Sequence, residues 1–350
     1  MGQQGCNCSV FGGVWFLVFL LLSVSPRAIA GSSPDFTIIS YEAGNAPFFI
    51  QVADFDQNGS IDFSLVNRDS HNVTVFLVTP DGQGGVKVEQ WSYKSGRHPE
   101  GLFAGDLDGD GDPDLVTVNL GENSFTTLLN KGKIEEYGIL DLVQGTRYPV
   151  QGNPHAIWGG DFDRDGDIDL AVVVEEFHAS GNRGRVLLFH NNGTGKFQAQ
   201  AAVTVGTEPH ALTGADLDRD GALDLIVSNK GSRTLSLLFN DGKGDFAHMT
   251  TLEVGDAPHG IGVADLDGDG DQDLAITNIS AHTVTLVINR GKRRFEKGKV
   301  IPVHARFPFA VIGVDIDNDG DKDLVTANLV GDNISLLRNG GKGDLRFAQT

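Results

Sequence analysis

Cysteine is almost missing: the 350 residues hold two, Cys6 and Cys8, both in an N-terminal segment whose expected fate is removal. A chain that loses them has no disulfide and no thiolate nucleophile, so its stability must come from packing or bound ions. Positive charge is also scarce, with 27 Lys and Arg against 47 Asp and Glu and a formal charge of −20. That balance repels nucleic acid and anionic membrane surfaces and demands counter-cations. The apolar run Val10–Val24 has about 15 residues, where a spanning helix needs about 20. Ala28-Ile29-Ala30 follows it as an A-x-A cleavage signal. Residues 1–30 therefore read as a secretory signal removed after Ala30, leaving an extracellular or periplasmic chain without a stable membrane span. No Lys or Arg precedes the run, so retention as an anchor, or acylation at Gly2, Cys6 or Cys8, is the alternative. A sustained 3.6-residue apolar period is absent after residue 30, which argues against helices.

What the sequence does contain is a repeat. The run Asp216-Leu-Asp218-Arg-Asp220-Gly221-Ala-Leu-Asp224 recurs with first aspartates at Asp54, Asp106, Asp161, Asp216, Asp265 and Asp315, at spacings of 52, 55, 55, 49 and 50 residues. Seven residues before each stands a proline: Pro47, Pro99, Pro154, Pro209, Pro258 and Pro308. Small and apolar residues fill the interval, a β-branched stretch such as Leu225-Ile226-Val227 follows the loop, and Leu235, Leu237 and Phe239 alternate at period two. After the glycine turn Asn240–Gly244, a fourth strand leads to Val254. Four strands per ~50-residue unit describe a propeller blade. The expected fold is all-β, a six-bladed β-propeller over residues 31–350, with seven blades only if the chain is a fragment. The last unit stops where its fourth strand is due, and an orphan strand, Phe36–Glu42, is expected to complete the sixth blade by pairing the two ends of the chain.

Each nine-residue loop presents oxygens at the spacing calcium prefers. Position one is Asp54, Asp106, Asp161, Asp216, Asp265 or Asp315. Position three is Asp56, Asp108, Asp163, Asp218, Asp267 or Asp317. Position five is Asn58, Asp110, Asp165, Asp220, Asp269 or Asp319, and position nine is Asp62, Asp114, Asp169, Asp224, Asp273 or Asp323. The carbonyl at position seven adds a ligand from Ser60, Asp112, Asp167, Ala222, Asp271 or Asp321. Position six is glycine throughout: Gly59, Gly111, Gly166, Gly221, Gly270 and Gly320. An EF-hand would need a Glu at position twelve and flanking helices, and neither is present. A solvated acidic turn would leave like charges packed without relief. The expectation is about six Ca2+, held most weakly in the first loop, where Asn58 replaces a carboxylate. Three aspartates in the first loop and four in each of the others account for 23 of the 47 acidic residues.

These features resemble the FG-GAP or VCBS repeats of integrin-alpha-like propellers. The resemblance rests on Gly255-Asp-Ala-Pro258-His259, Ala264-Asp265-Leu-Asp267-Gly-Asp269-Gly270-Asp-Gln-Asp273-Leu274, Asn278, and Asn289-Arg-Gly291 with Phe295. It implies calcium between the first and second strands of each blade, on one face of the disc, and ligand binding on the opposite face.

On that opposite face the residue after each repeated proline is Phe48, Glu100, His155, His210, His259 or Phe309, a ring expected round the axial mouth. The longest insertion there is Glu175–Gly184. Three readings are open for the ring: imidazoles that cap backbone carbonyls, a surface for a protein or glycan, or a catalytic base. No G-x-S-x-G, H-E-x-x-H or P-loop supports the last. The function expected is adhesion, recognition or scaffolding by a calcium-binding module. The alternative is a propeller enzyme acting on extracellular polysaccharide through histidines of this face.

Overall fold

The computed structural model describes residues 40–349 apart from 83, 84, 135 and 180. The expected signal segment, residues 1–30, and Phe36–Ile39 lie outside the described residues.

Six antiparallel sheets follow one another along the chain, forming a six-bladed β-propeller. The repeated prolines mark the inner strands, which run Pro47–Ala53, Pro99–Gly105, Asn153–Gly160, Pro209–Ala215, Pro258–Ala264 and Pro308–Val314. Proline fits there because it lacks an N–H and can open a strand without breaking a ladder. The fourth blade shows the pattern, with Pro209–Ala215, Asp224–Asn229, Thr234–Phe239 and His248–Glu253 paired in that order. Every residue of Asp224–Asn229 is buried, because both faces of a middle strand pack against neighbouring blades. At the rim, Met249–Glu253 alternates between exposed and half-buried positions after an exposed His248. Among the described residues the only helical element is a short 3-10 turn, Leu120–Glu122.

Two outer edges depart from the pattern. The third blade splits its fourth strand into Phe197–Ala199 and Val203–Val205, both paired to Arg183–Asn191. In the sixth blade the chain's own Leu345–Gln349 forms the fourth strand beside Leu336–Asn339. This corrects the expectation that the last unit stops short of it: Leu345 is buried in the apolar cluster of blades five and six, and the strand begins there, two residues before Phe347, where it was expected. Of the orphan strand, Ser40–Glu42 carries no ladder, and the remainder precedes the described residues.

Side chains from adjacent blades merge into apolar clusters. Phe55, Val66 and Leu77 meet Leu102, Leu115 and Leu128 between blades one and two, and Leu217, Ile226 and Leu237 meet Leu274, Ile276 and Val287 between four and five. Asparagines at the ends of third strands add polar staples. Asn130, Asn191, Asn240, Asn289 and Asn339 each donate through Nδ2, at 2.7–2.8 Å, to the carbonyl of loop position two in the preceding blade: Phe55, Leu107, Phe162, Leu217 and Leu266.

The seam between blades six and one is built differently. In the first blade Val78 stands where the asparagine belongs, its amide on Asp62 just as the Asn240 amide is on Asp224. Ile168 and Leu223, at loop position eight, fold onto Gly105 and Gly160 of the preceding blade, where an added Cβ would come within 2.8 and 2.7 Å of them. Ile61, at the same position in the first blade, is 59 % exposed, and Val52 and Ile312 on the first and last inner strands are 58 % and 54 % exposed. At the axis the seam is bridged by Phe48 set edge-on against Phe309, with ring centres 5.6 Å apart.

Candidate functional site

The aspartate loops join first to second strands, so all six lie on one face of the disc. Glycine at position six adopts φ between +84° and +97° in every loop, a region where a side chain is strained. That turn aims the next amide at position five: Ser60 N donates to Asn58 Oδ1 at 2.8 Å, and Asp112, Asp167, Ala222, Asp271 and Asp321 do the same to Asp110, Asp165, Asp220, Asp269 and Asp319. The glycine amide itself donates to the position-one carboxylate, as from Gly111 to Asp106 Oδ2 at 2.9 Å. Backbone donors thus fix the outer lone pairs and curl the ligand positions round a common centre.

Each loop also leaves one carboxylate oxygen buried and without a hydrogen-bond partner. The atoms are Oδ1 of Asp56, Asp108, Asp163 and Asp267 at position three and Oδ1 of Asp216 and Asp315 at position one. A buried anionic oxygen without a partner is costly, and a bound cation relieves that cost. Positions one, three and five cluster closely enough to share an ion in loops three and four, as do one, three and nine in loops one and two. An all-oxygen, carboxylate-rich set of this kind suits Ca2+, and the residues present therefore fit the ion that the sequence implied.

The basic partners of position three were not foreseen. Lys133 reaches Asp56 Oδ2 at 3.2 Å, Lys131 pairs with Asp108 Oδ2, His190 Nδ1 lies 3.5 Å from Asp163 Oδ2, and Arg293 pairs with Asp218. Arg290 meets Asp267 Oδ2 at 2.7 Å and Arg338 meets Asp317 Oδ2 at 3.0 Å. In loops one, two, three and five the same carboxylate has one oxygen held by a base and the other without a partner. This is how an outer contact orients a metal ligand. Neighbouring loops are also linked, since Gln57 donates to Gly111 O at 3.1 Å, Arg164 to Asp220 O at 2.9 Å and Arg219 to Asp269 O at 3.2 Å.

Position nine is buried in every blade. Asp224 is typical: Oδ2 accepts from Leu217 N at 3.0 Å and Oδ1 from Asn240 N at 2.9 Å, so the carboxylate ties loop, second strand and third strand together. A cation held here would use the lone pairs these amides leave. Burial pushes Asp62, Asp169 and Asp273 up to about 6 and Asp114 and Asp224 up to about 7, against the pull of the amides. Asp323 shifts the same way.

On the opposite face the six ring residues do come together, and they touch in sequence. His155 and His210 have ring centres 4.7 Å apart, His210 and His259 4.9 Å, and His259 and Phe309 3.8 Å. His259 Nδ1 donates to the Phe309 carbonyl at 3.1 Å, and His155 Nδ1 lies 3.1 Å from Glu100 Oε2. Arg68, which the sequence did not single out, completes the circuit: its guanidinium lies 3.3 Å from Glu100 Oε1 and stacks 5.3 Å over Phe48. Its signal was the lone carboxylate at a ring position otherwise aromatic, since a glutamate 7 % exposed requires a counter-ion. Burial, then the neighbouring imidazoles, holds His210 down at about 2, and burial holds His259 at about 4. In the nearby insertion, Asn182 bonds Glu175 and Arg185 bonds Glu176, while Phe177 stays 61 % exposed.

Among solved structures the fold is similar to a Lactobacillus plantarum protein (TM-score 0.61, 17 % identity, covering 88 % of this chain and 85 % of that one). It is also similar to the Pseudomonas aeruginosa periplasmic gluconolactonase PpgL (0.59, 15 %, 82 % and 81 %). A third is a catalytically inactive virginiamycin B lyase from Staphylococcus aureus with quinupristin (0.52, 16 %, 87 % and 84 %). At these identities the likeness speaks for the fold alone. No curated protein matches the sequence. The FG-GAP-like repeat model matches residues 54–117, 161–227, 216–276 and 265–326, about two thirds of the chain, and these ranges contain all six loops. With the repeat, its loops and this coverage in agreement, the chain belongs to the FG-GAP-like repeat family.

Proposed function

We propose that the protein is an exported propeller loaded with calcium, serving as a recognition or scaffold module for a protein or glycan partner. The observation that carries the calcium reading is the buried, partnerless carboxylate oxygen in each of the six loops. Recognition on the far face draws support from a ring of side chains in mutual contact and from the exposed Phe177 in the insertion on the same face. A propeller enzyme acting on extracellular polysaccharide is the rival reading; the propeller fold is shared with a lyase and a gluconolactonase, which leaves enzyme activity open without pointing to that substrate. His210 is a poor base for such chemistry, because a group held near 2 has little proton affinity at neutral pH.

Thermal melting in calcium and in EGTA tests the metal. A site filled only in the folded state adds about 2.7 kcal/mol at a hundredfold excess over Kd, so removal should lower the midpoint by many degrees, and superimposable curves would refute the reading. A glycan array read for both retention and product release tests the module. Binding without turnover, lost on Phe177→Ser, supports recognition, whereas product release abolished by His210→Ala supports the enzyme.

A further inference from the structure

The third loop differs from the other five in what stands beside it. His190 is the residue before the staple Asn191 on the third strand of its blade, and the matching residues elsewhere are Leu77, Leu129, Phe239, Ile288 and Arg338. Elsewhere the position-three carboxylate is faced by a lysine or an arginine, neither of which ligates a metal while protonated. Here it is faced by an imidazole.

We propose that Asp163, Asp169 and His190 form a mixed nitrogen–oxygen site for a borderline transition-metal dication such as Zn2+, which competes with calcium at the third loop because it shares Asp163 and Asp169 with that loop's oxygen set. One ligand atom from each of Asp163, Asp169 and His190 lies within 4.8 Å of the others, and the oxygen trio Asp161, Asp163 and Asp165 meets the same limit, with Asp163 common to both. His190 Nδ1 is 3.5 Å from Asp163 Oδ2, long for a hydrogen bond. It is close to the separation of about 3.4 Å expected of two atoms that share one ion at about 2.1 Å. Asp163 Oδ1, buried and without a partner, supplies an anionic oxygen that the protein itself leaves unsatisfied. Asp169 is anchored by Phe162 N at 3.1 Å and Asn191 N at 2.8 Å, so it cannot swing away.

The imidazole is accommodated as well. A Cβ on Gly244, in the next blade's turn, would come within 2.6 Å of His190 Nε2, so this glycine leaves room for the ring beside the turn. The His190 and Asp163 side chains keep 25 % and 26 % of their exposure, which gives an ion a way in. Imidazole with carboxylate suits Zn2+, Co2+ or Ni2+ better than calcium, which prefers oxygen alone.

The test is Zn2+ titration by calorimetry, and Co2+ absorption in the visible, in excess calcium, which fills the five all-oxygen loops and competes only at the third. Expected are one saturable equivalent per chain and Co2+ bands typical of nitrogen ligation. Both should be lost in His190→Arg, which installs the side chain that the sixth blade already carries at Arg338, with affinity down by about a hundredfold. His190→Gln serves if the arginine variant fails to fold. Unchanged Zn2+ binding in a folded variant, or no saturable equivalent in the native protein, would overturn the proposal. Calcium-dependent melting of the same variants reports separately on the oxygen loops, so failure of one reading is distinguishable from failure of the other.

Discussion

Acid should loosen the axial ring, by an amount the structure sets. His210 and His259 are held at about 2 and about 4, against an ordinary value near 6.5 in the unfolded chain. A depressed folded-state value means that the unfolded chain binds the proton first. The stability contributed by a neutral, buried imidazole is therefore complete above about pH 6.5 and is lost progressively as pH falls below it. At pH 5 each histidine has lost roughly 1.5 units of its advantage, about 2 kcal/mol at 1.36 kcal/mol per unit. His210→Phe is the natural control, because Phe48 and Phe309 already occupy the matching ring position in two blades. Between pH 8 and pH 5, at constant saturating calcium, wild type should lose about 2 kcal/mol more than this variant, roughly 3 °C of melting midpoint for a chain this long. The buried aspartates shift stability in the opposite direction, but they are common to both proteins and cancel in the difference. Parallel pH curves for the two proteins would refute the assignment of a buried, neutral His210.

Calcium affinity should fall as pH drops below about 7, because the position-nine carboxylates raised to about 6–7 must release protons to bind the ion; calorimetry at pH 7.5 and 5.5 reads this directly. In EGTA these raised values favour the folded state at low pH, and that share of stability should vanish as pH rises from about 4 through 7, visible as a declining denaturation midpoint in His210→Phe. Gly166→Ala, at φ +96°, should cost about 1–2 kcal/mol and remove one calcium per chain by elemental analysis. Asn240→Ala, which leaves the Phe162 and Leu223 carbonyls without their donor, should cost about 1–3 kcal/mol in chemical denaturation.

The clustering of the loop carboxylates was legible because it is written into side-chain type at fixed spacing, and Gly221 or Gly270 is required by a backbone angle rather than by a distant partner. The inner strands were legible from the prolines. The orienting bases were not: Lys133 and Arg293 serve the loop of the preceding blade, whereas Lys131, Arg290 and Arg338 serve their own, so no single offset marks them. Asn240 and its counterparts stood in the repeat as turn residues, but the carbonyl each one holds lies 72–84 residues earlier. The start of the sixth blade's outer strand was misplaced because four paired positions leave too short a pattern to read. Ring membership followed from the repeat, whereas the circuit through Arg68 depended on a turn whose counterparts are Leu120, Lys230, Ile279 and Leu329.

A closed ring is only as durable as its weakest joint, and here that joint is identifiable. Five joints are latched by an asparagine that grips the preceding wedge, while among the described residues the sixth has no such asparagine and is bridged at the axis by two phenylalanines meeting edge to edge. Thermal breathing should start there, so deuterium ought to enter Pro47–Ala53 and Pro308–Val314 well before it reaches Pro209–Ala215. Disassembly would then proceed from this joint in both directions, one wedge at a time, in the manner of a chain whose clasp has opened.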